Sequence, residues 1–273
     1  MKIKSKQISP ELSIGHQNFL AGIRHHQQTV QFSRIMILIV FIAIWEISAE
    51  TGIIDSFIFS SPSKIAICFW KMVVDKSIFL HLSITLYETI ISFLLTTIVS
   101  TLLAIALWFS HKLSEILDPY LVVLNSLPKS ALAPLLIVWL GANYITIIVS
   151  GMSVAIFGSI LNLYTSFMNT DPGKIKLIYT LRGTKMQALA KVVLPSSVPA
   201  IISNMKVNIG LCLVGVIIGE FLAARNGLGY LIIYSSQVFK MDWLLMSIVL
   251  LCLMSMGLYA VISVLENWCL KRY

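Results

Sequence analysis

Long apolar runs separated by short polar or basic connections dominate this chain. A helix that crosses a bilayer needs about 20 mostly apolar residues. Six such segments are predicted, at 35–53, 81–109, 120–140, 144–168, 198–221 and 243–265. The first is interrupted by Glu46, and the second carries no charge from Thr89 onward. The third and fourth share an uncharged stretch, 130–170, which is too long for one span and breaks at Gly141-Ala142-Asn143. Ahead of them lies a polar, basic tail, and residues 56–80 contain Ser60-Ser61-Pro62-Ser63 followed by Ile65, Ile67, Phe69, Trp70 and Val73. That order predicts a capped, partly apolar helix lying at the membrane surface or packed on its own protein.

Composition agrees with a lipid solvent. Of 273 residues, 58% are hydrophobic and 12% charged, and the mean hydropathy is +0.89. A water-soluble domain carries about twice that share of charge. The net charge of +8 would suit nucleic acid, but the basic residues are dispersed among apolar segments rather than gathered in a patch. Cys68, Cys212, Cys252 and Cys269 lack a CxxC spacing and read as small hydrophobes rather than disulfide or metal partners. His25-His26 stands in a solvated tail without further ligands, so no metal site is expected. The first apolar run follows a long polar tail and precedes Glu46 and Glu50, which makes it a retained signal-anchor rather than a cleaved signal.

Lysine and arginine placement sets orientation. With the N-terminus inside, the cytoplasmic connections hold thirteen of them: Lys2, Lys4, Lys6, Arg24, Arg34, Lys112, Lys174, Lys176, Arg182, Lys185, Lys191, Lys271 and Arg272. The opposite side holds five: Lys64, Lys71, Lys76, Arg225 and Lys240. Both termini are therefore expected in the cytoplasm. The domain reading is a tail at 1–33, a first span with its outer segment at 34–80, a transmembrane core at 81–267 and a short cytoplasmic end at 268–273.

The connection between spans four and five, 171–195, reads as folded. Asp171-Pro172 supplies an N-cap with proline in the first turn. A helix then runs to about Leu181, where Arg182-Gly183 offers a glycine stop. Thr184 with Gln187 forms a capping box for a second helix through Val193, ended by Pro195 and Pro199. Such a helix–turn–helix is a rigid lever.

Ordered motifs around this lever resemble a family. They are Ser126-Leu127-Pro128, Ala131-Leu132-Ala133-Pro134-Leu135, Trp139-Leu140-Gly141, Lys191-Val192-Val193-Leu194-Pro195, Pro199-Ala200-Ile201, Gly219-Glu220-Phe221-Leu222 and Gly227-Leu228-Gly229-Tyr230-Leu231. Over 82–265 the chain resembles the permeases of binding-protein-dependent ABC importers, in the nitrate/sulfonate/taurine-type branch. The resemblance implies an all-α polytopic membrane protein with six transmembrane helices in the type I importer fold. It also implies a second permease copy, cytoplasmic ABC ATPases, a periplasmic or lipid-anchored binding protein, and alternating access driven by ATP. It places ATPase coupling on Lys176, Leu177, Ile178, Thr180, Arg182, Gly183 and Thr184. Where the family has an acidic residue, two alanines and a glycine, this chain has Lys176, Leu177, Ile178 and Arg182, with Gly183 one place late. Larger side chains there imply a roomier or more apolar groove, and Lys176 an acidic neighbour.

No GxxxxGK[ST] loop is present, so ATP hydrolysis falls to another chain. No nucleophile–base, paired-carboxylate or metal constellation suggests catalysis, and no cofactor is expected. Charge within a bilayer is costly and needs a partner or a role. Lys129 either snorkels to headgroups or faces a pathway and attracts an anion. Glu220 is expected to pair with Arg225 or a neighbouring subunit, Lys206 to snorkel, and Glu46 and Glu88 to lie near membrane boundaries. Asn125, Ser126, Lys129, Asn208 and Glu220 are the candidate pathway-lining residues, with interhelical hydrogen bonding the other reading of the amides, including Asn162 and Asn204. Glycines at 141, 151, 158, 210, 215 and 219 suit close helix packing. Trp45, Trp108, Trp139 and Trp243 fall at predicted span ends as an aromatic belt would. An ATP-independent secondary transporter or channel is the alternative function.

Overall fold

A computed structural model describes residues 14–270, with side chains described from Gly22 onward except Arg24, His25 and Leu270. The basic residues Lys2, Lys4, Lys6, Lys271 and Arg272 used for orientation, and the side chains of Arg24 and His25, lie outside the described residues. Every regular element among the described residues is a helix. The chain divides into two compact units at Lys64/Ile65.

In the first unit, α1 (Ile14–Glu50) continues the helix from the polar stretch straight into the first apolar span. After it, α2 (Ser56–Phe59) is capped by Asp55, whose carboxylate accepts the Phe57 N–H at 2.8 Å. Glu46 accepts both the hydroxyl and the N–H of Ser63, the latter at 3.0 Å. Ser63 opens α3 (Pro62–Val74), so the helix-start N–H groups satisfy the acid that interrupts the first span.

The second unit contains α4 (Ser77–Phe109), α5 (His111–Ser126), α6 (Lys129–Leu140), α7 (Tyr144–Met168), α8 (Pro172–Thr180) and α9 (Lys185–Ala188). A π turn, Leu189–Val193, carries α9 into α10 (Leu194–Ala223), and α11 (Leu228–Gln237) and α12 (Met241–Leu270) follow. Among the described residues, five helical stretches are long and apolar enough to cross a membrane: His26–Glu50, Ser77–Phe109, Tyr144–Met168, Lys185–Ala223 and Met241–Cys269.

Two expectations are corrected here. The third span is not one helix: α5 and α6 meet at 98°, so six segments result only if this bent pair counts as one. Leu127 precedes Pro128 and is extended, with ψ at 141°. Proline sterics disfavour helical backbone in the residue before it, and the bend sits there. Pro195 and Pro199, by contrast, do not stop the second lever helix, which runs unbroken from Lys185 to Ala223. Pro195 lacks an N–H and would press on the carbonyl four residues back. The π turn just before it widens the backbone and absorbs that conflict.

Small and hydroxylated residues let α7 pack closely between α4 and α10. A Cβ on Gly151 would fall 2.5 Å from Ser92 Oγ, and one on Gly215 would fall 2.7 Å from the Ser150 carbonyl. Serine hydroxyls complete the seam: Ser92 donates to Ile148 O at 3.0 Å and Ser150 to Gly215 O at 2.9 Å. Deeper along the same helices, Asn204 and Asn208 donate to Ser159 Oγ at 2.6 and 2.9 Å, and Ser159 donates to Ser100 Oγ at 2.8 Å. Lipid-buried bundles gain stability from such close backbone approach and interhelical hydrogen bonds.

Gly215→Ala is expected to destabilise the protein by about 1–3 kcal/mol, because the added methyl meets rigid backbone at Ser150 O and Gly151 Cα as well as the branched Val154 side chain. Gly210→Ala meets nothing within 4 Å and should leave the melting temperature unchanged or higher. Thermal unfolding of both variants in detergent checks the contrast.

Candidate functional site

The 171–195 segment forms the predicted helix pair. Asp171 caps α8 by accepting the Gly173 N–H at 2.8 Å. The Thr184–Gln187 capping box is complete, with Thr184 N–H donating to Gln187 Oε1 at 2.8 Å and Gln187 N–H to Thr184 Oγ1 at 3.3 Å.

The stop between the helices works differently from the expectation. Arg182, not Gly183, takes the left-handed conformation, with φ at 59°. The N–H of Gly183 donates to Ile178 O at 2.8 Å and that of Arg182 to Tyr179 O at 3.0 Å, the two bonds of a Schellman motif. A left-handed backbone costs a residue with a Cβ about 1–2 kcal/mol. Gly183 serves space instead: a Cβ there would lie 2.4 Å from Ile178 Cγ2 and 2.8 Å from Ile178 O.

The pair is keyed into the bundle. Ala188, Leu189 and Val193 are buried with Ala104, Trp108, Leu163 and Phe167, and Ile175 and Ile178 pack on this cluster. Lys185 adds a clamp, donating to the Phe109 carbonyl at 2.8 Å with its ammonium 5.3 Å from the centre of the Trp108 ring. Trp108 is thus a core residue here, not part of an aromatic belt.

The predicted coupling residues separate into two sets. Ile178 faces inward and holds the lever to the bundle. Lys176, Leu177, Thr180, Arg182 and Thr184 are exposed, and Gly183 is half-buried. Leu177 (58% exposed) is joined by Leu181 (71%) and Met186 (63%), which the sequence reading passed over. Three large apolar side chains left in solvent on an otherwise basic segment are the signal that would have found them.

Of the pathway candidates, Asn125 and Ser126 are exposed and Lys129 half-buried at the α5–α6 bend. Lys129 donates to the Leu124 carbonyl at 2.5 Å and lies 5.1 Å from the Phe157 ring centre, so it closes the bend. Asn208 is buried in the amide–serine network described above. Lys206 pairs with Glu266 instead of snorkelling.

Glu220 is also buried, 1% exposed, and does not pair with Arg225, which is exposed. Its carboxylate accepts Thr85 Oγ1 at 2.6 Å and the Gly229 N–H at 2.5 Å. The glycines of the Gly227-Leu228-Gly229 motif make this seat: a Cβ on Gly227 would be 2.4 Å from Glu220 Oε1, and one on Gly229 2.7 Å from Oε2. Thr85 also accepts the Leu228 N–H at 2.8 Å, and His81 Nδ1 accepts that of Gly227 at 3.1 Å. The α10–α11 turn is thereby bolted to α4. Glu88, expected near a membrane boundary, sits in this corner at 2% exposure.

Residues 96–273 match the family described as the binding-protein-dependent transport system inner membrane component. A Haemophilus influenzae protein named as a probable ABC transporter permease is 28% identical over 88% of this chain and 95% of its own length. A Bacillus subtilis protein named as a putative aliphatic sulfonates transport permease is 25% identical, covering 85% of this chain and 84% of its own. A formylaminopyrimidine transport permease of Halalkalibacterium halodurans is 27% identical, covering 85% and 92%. In fold, the chain is similar to a subunit of the inward-facing MetNI methionine ABC transporter, with a TM-score of 0.57 at 16% identity over 73% of this chain and 96% of that one. The apolar helices and the family match agree: this chain belongs to the binding-protein-dependent inner-membrane permeases and is the multi-pass translocation subunit of an ATP-driven ABC importer, its ATPase a separate chain.

Proposed function

We propose that the 171–195 helix pair is the surface through which a cytoplasmic ATPase drives this permease, and that both termini share its side of the membrane. The observation that carries the reading is the contrast within one short segment. Ile175, Ile178, Ala188, Leu189 and Val193 anchor it to α4 and α7, while Leu177, Leu181 and Met186 stand in solvent. ATPase closure favours one arrangement of the helices only through contacts that differ between the states. A lever fixed on one side and apolar on the other provides such contacts. Lys174, Lys176 and Arg182 surround the apolar residues, so the receiving groove is apolar at its floor and acidic at its rim.

In this reading two copies of the chain enclose the solute pathway and alternate in access. Asn125, Ser126 and Lys129, at the α5–α6 bend, line it, and Val122, Val123 and Leu135 of the two helices are also exposed. The solute is a small sulfonate-like anion or a vitamin-precursor-like compound, as the names of the relatives suggest. A separate binding protein selects and delivers it.

Three outcomes test the proposal. Gly183→Val pushes Ile178 from its seat and should lower ATP-driven uptake in reconstituted vesicles more than tenfold. Membrane insertion and basal ATPase activity should be retained, and unchanged coupled uptake would count against the lever. Leu181→Asp places a charge on the proposed contact and should weaken ATPase association at least tenfold in a pull-down titration; unaltered association would move the docking surface elsewhere. Mass spectrometry of the solute that co-purifies with the cognate binding protein should find a sulfonate or a pyrimidine-like compound. A sugar or a metal chelate would reject the substrate class.

A further inference from the structure

Beside the bolted α10–α11 turn, two carboxyl groups meet with no basic side chain to offset them. Glu88 on α4 and Glu220 on α10 are 2% and 1% exposed, and Glu88 lies one helical turn along α4 from Thr85, whose hydroxyl donates to Glu220 at 2.6 Å, so the two carboxyl groups share one corner. No N–H or O–H among the described residues reaches the buried Oε2 of Glu88. Ionised carboxylates are acceptors only. Two of them in contact, away from water, repel unless something positive stands between them.

The hydrogen bonds identify which acid is ionised. Glu220 is held by donors on both oxygens: Thr85 Oγ1 at 2.6 Å on Oε1 and the Gly229 N–H at 2.5 Å on Oε2. That is a setting for a carboxylate. Glu88 meets no such donor, and the group it faces is an acceptor.

Neighbouring charges do not alter the balance. His81 accepts the Gly227 N–H at Nδ1, so that nitrogen carries no proton and the ring is neutral. Tyr230 stacks on His81, 6.3 Å between ring centres, and Arg225 is exposed. The α7 helix contributes no acid or base, having only Tyr144 and Tyr164 as ionisable groups. Among the described residues the ion pairs are His111–Glu115 and Lys206–Glu266, neither of which involves this corner. A metal or alkali cation fits poorly, because the Glu220 oxygens are already met by the positive ends of N–H and O–H dipoles. A proton needs no such space.

We infer that Glu88 is a carboxylic acid donating its proton to the Glu220 carboxylate, so that the α4–α10–α11 corner is a single-proton site. The proton acts as a latch. With it, the corner holds one negative charge stabilised by backbone N–H groups; without it, two like charges meet inside the bundle and push α4 away from the α10–α11 turn. Glu88 is a positioning residue, acting through Glu220 on the turn.

The test uses the assembled transporter in lipid nanodiscs at neutral pH. Infrared difference spectroscopy of Glu88→Gln against the wild type should show loss of a protonated-carboxyl C=O band. Glu88→Gln, which still donates a hydrogen bond, should melt within about 2 °C of the wild type, whereas Glu220→Gln and Glu88→Ala should each melt at least about 5 °C lower. If Glu88→Ala does not assemble, the comparison of the two glutamine variants decides. A band that persists in Glu88→Gln, a stable Glu220→Gln beside an unstable Glu88→Gln, or a sodium- or potassium-dependent melting shift that Glu88→Gln abolishes would overturn the assignment.

Discussion

Close approach of three helices is the constraint on which the rest of the structure depends. In lipid no water satisfies a stray hydroxyl, amide or carboxyl, so each must find a partner inside the bundle. The seam of α4, α7 and α10 does this by removing side-chain bulk. Gly151 and Gly215 let backbones come near enough for Ser92 and Ser150 to reach carbonyls on the facing helices. Without those glycines the serines would be stranded, and without the serines the short distance would gain little. Packing and polar satisfaction are one design here, and it gives the core enough rigidity to transmit a push.

The 171–195 helix pair borrows its stability from the bundle. A nine-residue helix such as α8 is marginal by itself in water, and the left-handed Arg182 adds a local penalty. What holds the pair is its inner face, Ile175, Ile178, Ala188, Leu189 and Val193, set against Trp108 and Phe167, with Lys185 tied to the end of α4. The outer face is therefore free of structural duty and open to a partner. Replacement of small residues by Leu177 and Ile178 has different consequences at adjacent positions. The first changes what a partner meets, and the second changes how the lever is seated.

Much of this was legible in the chain itself. Five of the six apolar spans, the Asp171-Pro172 start and the Thr184–Gln187 box follow from local rules, and the structure has each of them. The failures arise where the apolar pattern alone fixes neither the backbone geometry nor the partner of a side chain. The 98° bend at Pro128 depends on a proline inside an apolar run that reads as one helix. Passage through Pro195 and Pro199 depends on a π turn that no pattern of apolar residues announces. Gly183 was read as a backbone device, yet it is needed because Ile178 lies over it. Glu220 takes its partners not from Arg225, the nearest cation in sequence, but from Thr85 and from the Gly229 N–H nine residues onward.

Those remote contacts also join the two ends of the molecule's central rod. The helix that begins at Lys185, beside the lever, continues unbroken to Ala223, a length of about 58 Å at 1.5 Å per residue. Its first turns are gripped by Trp108 and Phe109 near the end of α4, and its last turn presents Glu220 to Thr85 near the start of the same α4. Two helices fastened to each other at both ends cannot tilt independently. A displacement of the lever must therefore move α4 and α10 as one body or break one fastening. The grip beside the lever is apolar apart from Lys185, an exposed ammonium that water can satisfy on release, whereas releasing Glu220 would strand a buried carboxylate, the Thr85 hydroxyl and the Gly229 N–H together. Rigid-body motion of the α4–α10 pair against the bent α5–α6 segment is thus the lower-energy response to a force applied at the 171–195 helix pair.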